Sequence, residues 1–166
     1  GMKTTAAAAA AALILASAAR AETPGGWSVE TPKDAPARLA FSAPGLPPVA
    51  FACERKSGLV AVRFPLQRRY AERQAAGVWV DDAGLAGPWP VSIAYEAGAD
   101  RTVLRGRVEP DQADGASTAV GEIATAAPVL KSFGKTGALT FRAAGETVSP
   151  PPAKPGMVRK FLGACR

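Results

Sequence analysis

The chain contains no histidine and no asparagine among its 166 residues. The missing histidine removes the Ser-His-Asp triad, the imidazole general base and the commonest metal ligand. The missing asparagine removes the glycosylation sequon and the Cys-His-Asn site. Cysteine is confined to Cys53 and Cys165, and aromatic residues make up only 7%. Past residue 21 no apolar run approaches the roughly 20 residues that a membrane-spanning helix requires, so no transmembrane anchor is expected. No lipobox cysteine follows the first segment. These absences leave little catalytic chemistry, and no cofactor or metal is expected.

The N-terminal segment does carry information. Gly1 precedes Met2 and is set aside as an added residue. Met2-Lys3-Thr4 is a short basic start, Ala6 to Ala16 form an apolar run holding Leu13-Ile14-Leu15, and Ala19-Arg20-Ala21 fits a small-x-small cleavage pattern. Ala16-Ser17-Ala18 is a second candidate site. The order predicts a cleavable signal over residues 1–21 and a single β-rich domain over 22–166, exported to the periplasm or beyond.

Lys and Arg number 20 against 14 Asp and Glu, a formal net charge of +6, and two of those cations, Lys3 and Arg20, would leave with the signal. The densest basic stretch holds Arg55, Lys56, Arg63, Arg68, Arg69 and Arg73, opposed by Glu54 and Glu72. A single-strand nucleic-acid groove needs interleaved aromatic platforms, and Tyr70 is the only aromatic in the dense part of this cluster. A solvated, Arg-rich loop is expected there, with no nucleic-acid partner.

Several short segments alternate apolar and polar residues, the period-two sign of half-buried strands. Leu39 and Phe41 share one face, as do Val49, Phe51 and Cys53, then Val60, Val62 and Phe64. Val91, Ile93 and Tyr95 form another set, followed by Leu104 with Val108 and by Leu139 with Phe141. Weaker strands are expected at Trp27–Glu30 and Val78–Val80. Pro and Gly punctuate between them, at Ala43-Pro44-Gly45, Ser57-Gly58, Gly84 through Pro90 and Ala97-Gly98. Strands at short spacing predict a mainly β, antiparallel sandwich or barrel-like fold.

Two segments carry helical spacing. Gly121 to Phe133 places Ile123, Ala127, Leu130 and Phe133 near a 3.6-residue period, with Pro128 opening a short helix near 128–133. Beyond Pro155, the residues Met157, Val158, Phe161, Leu162 and Cys165 fall on one stripe, predicting a helix near 156–164. Export makes a Cys53–Cys165 disulfide the default. It would pin the last helix onto the sheet, because Cys53 shares its face with Val49 and Phe51.

The second half runs through Val129-Leu130-Lys131-Ser132-Phe133, then Gly134-Lys135-Thr136-Gly137, the strand Ala138-Leu139-Thr140-Phe141-Arg142, a Pro150-Pro151-Pro152 passage and a closing helix with Phe161-Leu162. That order resembles the invasion-associated locus B family of exported proteins, and distantly the small periplasmic proteins associated with type VI secretion. The likeness covers roughly residues 27–64 and 121–165. Cys165 on the closing helix departs from the family pattern. The resemblance implies a β-sandwich, no catalytic centre and a role in the cell envelope. It supplies no site residues to carry over.

Four motifs suggest chemistry. Ser132-Phe133-Gly134-Lys135 and Lys135-Thr136-Gly137 echo the S-x-x-K and K-T-G elements of penicillin-recognising enzymes. Those elements each need their own Lys, and here one residue would serve both, so a helix-ending turn at Gly137 is expected instead. Gly134-Lys135-Thr136 also echoes a P-loop end, but Val129 stands where its leading Gly belongs. Asp111 to Glu122 has the length of a calcium loop but places Ala113, Gly115 and Ala116 where ligands and the obligatory Gly belong. Trp79, Asp81, Asp82 and Trp89 lie in a Gly/Pro-rich stretch, and carboxylates beside Trp platforms suit sugar binding. Adjacent strand residues point to opposite faces, so Asp81 and Asp82 do not make a ready acid/base pair.

The expected function is that of an exported, non-enzymatic protein binding a protein or cell-envelope component. Candidate contacts are Trp79, Asp81, Asp82, Trp89, Arg68 and Arg69. A carbohydrate-binding or carbohydrate-active protein using Trp79 and Trp89 is one rival. A small hydrolase inhibitor presenting the Arg68–Arg73 region to an acidic cleft is the other.

Overall fold

Period-two alternation sends one set of side chains inward along each strand, and a sheet with one apolar face must cover it. In the computed structural model, which describes residues 26–166, that covering is done by curling. The strands are β1 (Gly26–Glu30), β2 (Ala37–Ser42), β3 (Val49–Cys53), β4 (Leu59–Leu66), β7 (Trp89–Ala97), β8 (Asp100–Pro110), β9 (Ser117–Ala124), β10 (Thr140–Ala143) and β11 (Glu146–Val148). They form one nine-stranded antiparallel sheet in the order β1-β2-β3-β4-β9-β8-β7-β10-β11. A separate hairpin pairs β5 (Arg73–Ala75) with β6 (Val78–Val80). Helices α1 (Pro128–Thr136) and α2 (Pro155–Cys165) complete the fold. The expected signal over residues 1–21 lies outside the described residues.

The fold is mainly β and antiparallel, as expected, and takes the barrel-like form: a half-barrel made from one sheet, not two facing sheets. The curl is measurable in the core. Phe64 on β4 and Phe141 on β10 are four steps apart in the sheet, about 19 Å if it were flat, yet their rings stack 4.8 Å apart. Phe51 on β3 reaches the same Phe141 ring at 5.9 Å. Inside the curl lie the helices. Phe133 of α1 packs 5.4 Å from Phe51, and Phe161 of α2 packs 6.3 Å from it.

One expectation is corrected here. Residues 121–124, read as the start of a helical segment, form the end of β9, which pairs with β4 from Leu59↔Ala124 to Leu66↔Ser117. Helix α1 begins only at Pro128, whose fixed φ and missing N–H suit a first helical position. It ends at Gly137, which has φ +76°, donates to the Phe133 carbonyl at 2.7 Å and accepts from Ala153 N at 2.8 Å. A Cβ there would overlap the Ala153 carbonyl oxygen, so only glycine fits.

Sharp bending at the sheet centre also needs glycine. Gly106 on β8 and Gly121 on β9 face inward, and a Cβ at either would collide with Ile93 or with the Tyr95 hydroxyl reaching across from β7. Tyr95 is fully buried, and its hydroxyl has no hydrogen-bond partner among the described residues. Burial, with help from the charge of Glu122, pushes its pKa up to about 12.

The end of α2 is clasped to the β3–β4 turn. Cys53 and Cys165 form a disulfide across 112 residues, with Cα atoms 5.6 Å apart. Lys56 N donates to the Ala164 carbonyl at 3.0 Å and Gly58 N to the Cys165 carbonyl at 2.6 Å, satisfying carbonyls a helix end otherwise leaves open.

Two outcomes are expected. Replacing Cys165 by Ser should lower unfolding stability by up to about 4–5 kcal/mol, the chain-entropy value for a loop of this length, read in urea melts against the oxidised parent. Tyr95→Phe, which removes a buried donor lacking a partner, should raise stability by about 1–2 kcal/mol in the same melts. A loss of stability would show that the hydroxyl is satisfied.

Candidate functional site

The concave face is filled by the helices and the aromatic core, and the convex face of the sheet carries exposed charged side chains. Its composition follows from strand parity. Along β8 the outward positions are Arg101, Val103, Arg105, Arg107 and Glu109. The register brings further arginines alongside: Arg142 pairs with Ala94, which in turn pairs with Val103, so Arg142 and Arg101 stand near one end of the strand. Arg63 pairs with Val120 and Val120 with Arg107, placing Arg63 two strands from Arg107 at the other end.

Two glutamates fix these side chains. Glu96 Oε1 accepts from Arg101 Nε at 3.2 Å and from Arg142 Nε at 3.0 Å. Glu109 accepts from Arg107 Nε at 2.8 Å and from Arg63 Nη1 at 3.1 Å. Each carboxylate therefore holds two guanidinium groups and leaves a net positive charge. Arg105, between the two clusters, is exposed and makes no ion pair among the described residues. A shallow depression of about 360 Å³ touches Arg101, Arg142 and Ser92, and another of about 380 Å³ touches Arg63, Arg38 and Thr118.

The residues singled out from the sequence sit elsewhere. Trp89 is buried, 6% exposed, with its ring 5.9 Å from Tyr70 and its Nε1 donating to the Leu85 carbonyl. It is core and not a platform. Trp79 is half-buried; its Nε1 donates to the Gln112 carbonyl at 3.1 Å and the Arg69 guanidinium lies 5.3 Å over its ring. Asp81 Oδ1 accepts from Ala83 N and Leu85 N, shaping the turn after β6, while Asp82 is exposed beside it. Arg69 donates to the carbonyls of Ala71 and Asp114, and Arg68 covers the Tyr70 ring at 4.8 Å. The structure therefore brings Trp79 and Arg69 together as a brace between the β5–β6 hairpin and the 111–116 loop. It does not gather the six into one cleft. The Arg68–Arg73 stretch is less free than a solvated loop, because its guanidinium groups are tied to carbonyls and rings.

The other motifs resolve into local structure. Ser132 Oγ hydrogen-bonds Asp100 Oδ2, while Lys135 is exposed. Asp111 Oδ1 accepts from Ala113 N at 2.8 Å and Asp114 Oδ1 from Ala116 N at 2.9 Å, which makes the loop a pair of side-chain-capped turns. Among the described residues no group of three His, Cys, Asp or Glu side chains is placed to hold a metal.

No family model, curated protein or solved structure matches the chain. Site assignment therefore rests on geometry. Arg101, Arg105, Arg107 and Arg142 lie outside the dense basic stretch at 55–73, so cation density along the chain does not mark them. The available signal was parity: Arg101, Arg105 and Arg107 all fall on one face of a strand.

The glutamates report on the clusters. The Arg142 hydrogen bond, joined by that of Arg101 and by both charges, holds the Glu96 carboxyl below the usual range against an opposing desolvation effect. Arg107, then Arg63, do the same for Glu109. A carboxyl depressed in the folded state stabilises the fold above its unfolded pKa, and that contribution is lost as pH falls through the folded value. Stability should accordingly decline as pH drops below 4.5, the ordinary glutamate value, and through the lower folded values. Arg107→Gln should move the Glu109 midpoint upward and leave that of Glu96 in place, followed by carboxyl-carbon chemical shifts.

Proposed function

We propose that this chain is an exported, non-enzymatic protein that binds a cell-envelope component through the convex face of its sheet. One observation carries the proposal: four arginines of β8 and its neighbours are ion-paired to Glu96 and Glu109 on the convex face, with the arginine side chains still 43% to 58% exposed. The disulfide supports an oxidising compartment, and among the described residues no helix is long and apolar enough to cross a membrane. Both cysteines are paired, so neither supplies a thiolate. The resemblance to the invasion-associated locus B family read from residues 27–64 and 121–165 would imply the same envelope setting.

The rival readings have less support. A carbohydrate site built on two Trp platforms lacks one of them, since Trp89 is core. A docking loop of free arginines at 68–73 lacks its freedom, since Arg69 is bonded to Ala71 and Asp114.

Co-sedimentation of the oxidised protein with a washed bacterial envelope fraction tests the proposal. Wild type should pellet with the fraction in a salt-sensitive manner, and Arg105→Glu should stay largely in the supernatant with an unchanged melting curve. Equal pelleting of the two proteins, or none by either, would overturn it.

A further inference from the structure

The convex face specifies the chemistry of its ligand more closely than its charge alone. Building on the envelope-binding reading above, we infer that the stripe along β8 binds a linear acidic polysaccharide, one whose sugar units carry carboxylate or similar oxyanion groups. Arg101 and Arg107 are six residues apart on a single strand, about 20 Å, with Arg105 between them. Arg142 widens the row on the β10 side and Arg63 on the β4 side, and the depressions on those two sides each touch two arginines, Arg101 with Arg142 and Arg38 with Arg63. The result is a row of three cations along one strand, Arg101, Arg105 and Arg107, with a recess across the sheet on either side of it, matched to a rod with charges repeated along its length.

Guanidinium groups recognise carboxylate oxygens through paired N–H donors. Each bridging glutamate occupies the Nε of one or both of its arginines and leaves other donors of the same fork available. Between the clusters the surface is low: Ser92 and Ala94 on β7 lie beside Arg105 and Val103. Small side chains let a polymer backbone approach, and Ser92 and Thr118 offer hydroxyls to its sugars.

Other classes of partner fit less well. Protein interfaces are anchored by buried aromatic or arginine hot spots set in pockets among apolar contacts, whereas the outward arginines of β8 stand beside no aromatic residue of that strand and only one outward large apolar one, Val103. Membrane surfaces are gripped by apolar side chains entering the headgroup layer. The exposed large hydrophobic residue on this stripe is Val103 alone. Single-stranded nucleic acid wants stacking platforms, which the stripe also lacks.

The test uses the oxidised chain with fluorescently labelled polygalacturonate, read by anisotropy at rising salt. Wild type should bind saturably and lose affinity steeply as salt increases. Arg105→Gln should weaken binding about tenfold with no change in melting temperature, because Arg105 makes no ion pair that its loss would break. Lys131→Gln, which removes an exposed charge on α1, should bind like wild type. Neutral dextran should not compete, and vesicles of phosphatidylglycerol should bind more weakly than the polymer. Absence of saturable binding, equal loss in Lys131→Gln, or tighter binding to the vesicles would each overturn the inference. If polygalacturonate fails while envelope sedimentation still depends on Arg105, the ligand class falls and the envelope-binding proposal stands. If sedimentation is also insensitive to Arg105, both fall.

Discussion

The carbonyl end of α2 is fastened to the β3–β4 turn by a disulfide and two backbone hydrogen bonds, and the half-barrel depends on that fastening. A nine-stranded sheet with a single apolar face has edge strands, β1 and β11, that do not meet each other. Its concave side must be plugged, and α1 and α2 are the plug. Helices this short draw little stability from propensity and are held by packing. Fixing α2 at Cys165 sets Phe161 and Leu162 against the sheet, and α2 in turn supports α1 through Gly134, whose carbonyl accepts from Arg159 Nη1 at 3.0 Å. The same turn reaches the end of β9, since Gly58 O accepts from Thr125 N at 3.0 Å. One short turn thereby joins β3, β4, β9 and the C-terminal helix.

Other ties draw the two arms of the curl together. Trp27 Nε1 on β1 donates to the Pro151 carbonyl at 2.7 Å, carrying the first strand to the segment that follows the last one. The Glu146 carboxylate on β11 accepts from Gln67 N at 2.7 Å and Arg68 N at 2.9 Å, just beyond the end of β4. These are long-range closures made by a few polar atoms, and between them Phe51, Phe64, Phe133, Phe141 and Phe161 make one continuous aromatic core. The 7% of aromatic residues is small, but five of its eleven side chains are concentrated there.

Much of this was legible in the sequence, and the misses have physical causes. The strands whose alternation is clean, such as Leu39/Phe41 and Val60/Val62/Phe64, were readable because one parity is apolar and the other is not. β9 was not, because Val120 is buried on the convex face beneath flanking arginines while Gly121 sits on the concave face. That pairing of a buried outward valine with an inward glycine erases the period-two signal, and Ile123, Ala127 and Leu130 then imitate a helix. The disulfide and the closing helix were readable because compartment and periodicity agreed. The β8 site was only half readable. Parity exposes Arg101, Arg105 and Arg107, but Arg63 and Arg142 join them through register across other strands, which no local pattern encodes.

Arginine clusters of this kind invite an explanation by stability, and magnitudes decide against it. Exposed ion pairs contribute about 0–1 kcal/mol each, and these pairs lie at the surface, with the Arg side chains between 43% and 58% exposed. The curl already has its aromatic core, its clasp and its edge ties, so four weak pairs on the outer face add little to it. What the pairs do change is freedom. An unrestrained arginine loses substantial rotamer entropy when it is immobilised by a ligand, of the order of 0.5–1.5 kcal/mol per side chain. Glu96 and Glu109 impose much of that ordering beforehand on four arginines, while their number leaves the positive charge in excess. Arginine can serve in this role where lysine cannot, because a guanidinium bonded at one nitrogen keeps further donors in a fixed plane. Prior ordering without neutralisation is what a surface needs to hold an anionic chain, and what stability alone would not require.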